Sequence, residues 1–177
     1  PISLKQRDLK AEYSVQIANA STLFFNYATS KSTPDEVLEK MKKAALEAFQ
    51  STLDDLNIEY ERFCKLAGRA HKKLPWKARV ITYDELYLAV KSQLGNDLDE
   101  IIDKFTEEML RDKTLDHRQF SLSIVEKVYN LWSDREPIVV VYFSPPYYPH
   151  IYVEGKTPKE KALLNAVKDA VGSCDID

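Results

Sequence analysis

A chain of 177 residues carrying a formal net charge of −3 is long enough to bury a core, and it is too evenly charged to offer nucleic acid a basic field. Its 30% charged residues and mere 4 glycines describe a helix-rich protein and leave little room for glycine loops that cradle phosphate. The 2 cysteines, Cys64 and Cys174, lie far apart and outside any metal-ligand spacing, so a reduced, cytoplasmic setting is expected.

No apolar segment approaches a membrane span, and neither membrane nor nucleic acid is an expected partner. One domain, residues 1–177, is the expectation. Because the chain opens at Pro1, it is expected to be a piece of something longer.

In chain order, Pro1 to Lys10 read as a polar lead-in. Tyr13, Val15 and Ile17 alternate with polar neighbours as a half-buried strand does, and Leu23 to Tyr27 predict a second strand. Asn26 is a polar amide among aromatics, expected to be hydrogen-bonded in place and carried as a substrate-contact candidate.

Thr33-Pro34-Asp35-Glu36 is a capping box with proline at the first helical position. Behind it, Leu38, Met41, Ala45, Phe49, Leu53, Leu56, Tyr60 and Phe63 step by three or four residues, predicting one buried stripe on a helix that ends near Gly68. The basic connector from Arg69 to Lys77 is expected to be solvated, and Ala78 to Ile81 to form a short strand.

Thr82-Tyr83-Asp84-Glu85 opens another helix, closed by Gly95. Asp97 is placed to cap the next, with Leu98, Ile101, Ile102, Phe105 and Met109 inside. A further helix starts near Asp116 and buries Phe120, Ile124, Val128, Leu131 and Trp132. These helices, residues 83–134, read as an insertion on a simpler sheet.

Ile138 to Phe143 run apolar without a break, the mark of a strand covered on both faces. Pro145 and Pro146 must end its ladder, and Tyr147, Tyr148, Pro149 and His150 follow as a stiff aromatic loop. Thr157-Pro158-Lys159-Glu160 starts the last helix, with Ala162, Leu163, Ala166, Val167, Ala170 and Val171 on its buried side and Gly172 at its end.

Catalytic chemistry is scarce in this pattern. The 3 histidines form neither an i, i+4 pair nor a His-x-Asp pair, and Glu107-Glu108 diverge on a helix surface. Asp116-His117 would suit acid–base work in a cleft, but a capping Asp explains the pair more simply. His150 is the most suggestive titratable group, standing past a strand end among tyrosines.

Leu4-Lys5, Asp8-Leu9-Lys10, Tyr13 to Gln16, Phe25-Asn26-Tyr27, Thr33-Pro34 with Val37-Leu38, and above all Ser144-Pro145-Pro146-Tyr147-Tyr148-Pro149-His150 resemble the middle of the arginine-utilisation proteins. Those belong to the zinc-peptidase family that includes aminoacylase and succinyl-diaminopimelate desuccinylase.

The resemblance implies an α+β lid or dimerisation domain, with an antiparallel sheet in ferredoxin-like order and helices packed on one face. Such a domain is not itself catalytic. Its partners are the catalytic domain of the same chain and a second copy, and the two zinc ions and the hydrolysis of an amide or peptide bond belong to the catalytic part. The helical insertion exceeds the family pattern. His150 becomes a substrate-contact candidate, and Tyr147, Tyr148 and Tyr152 interface candidates. Two other readings stand beside it: a free-standing module that captures a peptide through the loop 147–152, and a small enzyme using His150 with Asp116 or His117.

Overall fold

The computed structural model describes residues 2–9, 18–29, 32–145 and 153–172. Its class is α+β, as expected, with five helices and two small sheets among the described residues. The chain divides into two compact units, Pro1–Ser32 with Pro149–Asp177, and Thr33–Tyr148.

In the first unit, β1 (Ile2–Asp8) pairs antiparallel with β2 (Ser21–Asn26), with a register irregularity between Ser3 and Lys5. The N-terminal stretch is therefore a strand and not a lead-in. Its polarity hid it, because the ladder to β2 fixes its conformation while a two-stranded ribbon needs little apolar content. The strand predicted from Tyr13 to Ile17 lies outside the described residues.

The last helix of the chain (Pro158–Val171) begins as predicted. Thr157 Oγ accepts from the Glu160 amide at 3.2 Å, and the Glu160 carboxylate accepts from the Thr157 amide at 2.8 Å. Gly172 ends it at φ 68°. Its expected buried face is corrected, since Leu163 is 53% exposed and no residue of this helix is buried. Periodicity shows that a helix has an apolar side; it does not supply a surface to cover that side, and among the described elements none packs closely on this one.

The second unit is built around α1 (Pro34–Leu66), β3 (Val80–Thr82), α2 (Tyr83–Leu94), α3 (Asp97–Leu110), α4 (His117–Leu131) and β4 (Val139–Val141); the helix after β4, in the first unit, is α5. β3 and β4 run parallel, Ile81 opposite Val140. Parallel neighbours cannot be joined by a tight turn, and α2, α3 and α4 form the long crossover between them. The helices of residues 83–134 lie between these two strands in sequence.

Their core is Leu86, Val90, Leu98, Val125, Val128 and Trp132, with Ile138, Val140 and Tyr142 packed against it. Those three strand-region residues share one face, because side chains alternate along a strand. On the other face Val139 and Phe143 are 36% and 46% exposed, so the run is partly covered on one side and open on the other, not covered on both faces. α1 contacts both strands.

Long-range polar contacts lock the unit. Arg79, at the foot of β3, binds Asp134 with two bonds of 3.1 and 2.6 Å, and its guanidinium lies 5.6 Å from the Trp132 ring. Asp99 on α3 accepts from Lys91 at 2.8 Å and from the Tyr87 hydroxyl, tying α3 to α2. That hydrogen bond, with burial, pushes the Tyr87 phenol up to about 12.

Candidate functional site

Where β3 and β4 end at their carboxyl termini, the backbone of β3 turns straight into α2. Thr82 Oγ accepts from the Glu85 amide at 3.2 Å, Glu85 accepts from the Thr82 amide at 2.6 Å, and Lys42 of α1 reaches Glu85 at 3.1 Å. The bond from the Thr82 amide is the main reason the Glu85 carboxyl lies below its ordinary value.

A cavity of about 330 Å³ opens at this end of the strands, within the size range of small-molecule clefts. Leu38, Ile124, Val125, Val141 and Phe143 make most of its wall, and Asp84 and Ser121 supply polar groups. Burial raises the Tyr83 phenol beside it, and Ser121 Oγ is committed to the His117 carbonyl at 3.0 Å. Such a wall can seat an apolar side chain. Among its described lining residues no nucleophile is paired with a base.

The candidates named from sequence are not brought together by the described structure. His150, Tyr147, Tyr148 and Tyr152 lie outside the described residues. Asn26 ends β2 and is exposed. Asp116 is the N-cap of α4, where Oδ1 accepts from the Arg118 and Gln119 amides at 2.7 and 2.9 Å. The bond from the Gln119 amide is the first cause of its lowered pKa. Glu107 and Glu108 are both exposed on α3.

Among the described residues no three His, Cys, Asp or Glu side chains gather, so those residues do not supply the donor set for a zinc pair. Among them, too, no helix is long and apolar enough to cross a membrane. Cys64 is buried and free.

The cavity was the part missed in sequence. Its signal was Val80-Ile81-Thr82 running directly into a capping box, the strand-to-helix corner where open parallel sheets place their crevices.

No family model matches the chain, and no solved structure matches it. Two proteins of Bacillus subtilis (strain 168) are similar. Protein RocB is 28% identical over 170 residues, 96% of this chain and 29% of RocB. The uncharacterized protein YqjN is 26% identical over 171 residues, 97% of this chain and 30% of YqjN. The chain thus spans less than a third of the length of either relative and resembles one region of a larger protein.

Proposed function

We propose that the chain is one domain of a longer, peptidase-like polypeptide related to the arginine-utilisation proteins, and that it serves as a lid and pairing domain. The observation that carries this reading is the extent of the match: nearly all of this chain aligns with under a third of RocB. The resemblance of Ser144 to His150 to the zinc-peptidase family supports assigning hydrolysis of an amide or peptide bond to the remainder of that polypeptide. Two zinc ions held there would supply a metal-activated water.

The contribution of this domain is cover. Closing over the substrate excludes water and completes the site, a role that needs surface and hinge and no catalytic group of its own. In this reading His150 and Asn26 face the substrate. A cytoplasmic setting is consistent with the free thiol of Cys64.

The first test is the size of the natural protein. An antibody to this chain should detect a polypeptide several times larger than 20.4 kDa in source cells; a band at 20.4 kDa would overturn the reading. The second uses that longer protein, purified with zinc and given acylated amino acids. His150→Ala should lower kcat or raise KM while leaving the melting temperature unchanged, and unaltered kinetics would remove His150 from the site.

A further inference from the structure

The cavity at the carboxyl ends of β3 and β4 is walled mainly by hydrocarbon, from Leu38 of α1, Ile124 and Val125 of α4, and Val141 and Phe143 at the end of β4. A wall of this kind takes an apolar body and leaves its few polar groups to decide which one. Its hydroxyls are partly engaged: Thr82 Oγ accepts from the Glu85 amide at 3.2 Å, and Ser121 Oγ donates to the His117 carbonyl at 3.0 Å.

Charge selects among apolar ligands. Asp84 is the one carboxylate of the lining residues, and no lining residue is cationic. Among the described residues Asp84 has neither a hydrogen bond nor an ion pair. Its neighbour Glu85 differs, holding the Thr82 amide at 2.6 Å and Lys42 at 3.1 Å. Lys42, which α1 brings to this corner, also lies 3.8 Å from Glu39. It is thus held between two carboxylates, and Asp84 is left uncompensated. After burial, the charge of Asp84 is the second cause of the raised Tyr83 phenol, so that charge is felt within the wall. The rings of Tyr83 and Phe143 line the same space, and aromatic faces favour a cation.

The open groove along α1 has the converse composition. Glu47, Asp54 and Asp55 line it, and its only hydrocarbon side chains are those of Leu46 and Ala78. That groove offers charge without cover; the cavity at the strand ends offers a single charge with cover. An anion would meet Asp84 there with no cation to offset it, whereas an ammonium ion on a hydrocarbon stem satisfies both the carboxylate and the wall.

We propose that this cavity binds a small aliphatic amine as its ammonium ion, with the stem against Leu38, Ile124 and Val141 and the charge at Asp84. The site does not depend on the reading of the chain as a lid.

Isothermal titration calorimetry on the 177-residue chain, with hexylamine and with hexanol of the same stem, provides the test. Hexylamine should bind saturably and roughly tenfold more tightly than hexanol. Asp84→Asn should lower hexylamine to the affinity of hexanol and leave hexanol unchanged. Ile124→Trp, which fills the cavity, should weaken both ligands, and Asp54→Asn in the open groove should change neither. Each variant is checked by its circular dichroism spectrum, and Leu38→Phe fills the same space from α1 if Ile124→Trp does not fold. No saturable binding of hexylamine overturns the site. Hexanol binding as tightly as hexylamine, or hexylamine binding that is unaltered by Asp84→Asn, overturns the assignment of a cation. Nα-acetyl-lysine methylamide binding more tightly than hexylamine would assign the ammonium to a protein side chain and overturn the free amine.

Discussion

The helical layer α2–α4 and the far half of α1 have similar sequence patterns and opposite fates. Both carry apolar residues at helical spacing opposite a charged face. In the layer, Leu86, Val90, Leu98 and Val128 are wholly buried, since three short helices and two strands converge on one centre. On α1, Phe63 and Leu66 follow the same rhythm and stay exposed, while Leu53 and Cys64 of the same helix are buried. Amphipathic periodicity states what a helix can bury; the number of elements that meet it decides what it does bury.

The widest separation between these regions should come from truncation. Leu98→Ala should cost about 2–5 kcal/mol in urea denaturation, as fully buried leucines do. Phe63→Ala should stay within about 0.5 kcal/mol in the monomer, as an exposed site does. Similar costs at the two positions would mean that α1 is covered in solution.

Helix starts sharpen the contrast at smaller scale. Thr82 caps α2 through a reciprocal box, and Thr82→Ala should cost about 1 kcal/mol. Asn96 stands at the start of α3 without a side-chain capping bond, so Asn96→Ala should move the melting temperature far less. The sequence assignment of Asp97 as that cap is corrected, since Asp97 is already the first helical residue.

The smallest effect concerns acid. Bonds from Arg79 and Lys91 hold the Asp134 and Asp99 carboxyls, respectively, below their ordinary range. A carboxyl whose folded value is depressed adds stability that is present above its unfolded value, about 3.9, and is lost as pH falls through the folded one. The stability of the second unit should thus decline below about pH 4, and Asp134→Asn should flatten that decline. An unchanged acid slope in the variant would show that the Arg79 pair does not contribute.

Much of this molecule was legible residue by residue. The starts at Thr33, Thr82 and Thr157 and the ends at Gly95 and Gly172 were readable because a cap is made within a few residues of the chain. The layer's inner residues, Leu98, Val128 and Trp132, were readable from period alone. β1 was not, because a polar strand takes its conformation from its partner. Nor was the cavity, whose wall draws on α1, α2, α4 and the end of β4.

The sequence by itself determined where helices begin and end and which side of each is apolar, since both follow from contacts one turn apart. Only the tertiary structure decided that Val80–Thr82 and Val139–Val141 lie side by side in parallel, that three helices serve as their crossover, and that Leu56, Phe63 and Leu66 of α1 stay exposed. Pairing across more than fifty residues is selected by the joint burial of many side chains against the entropy of closing that loop, and no local pattern encodes a sum of that kind.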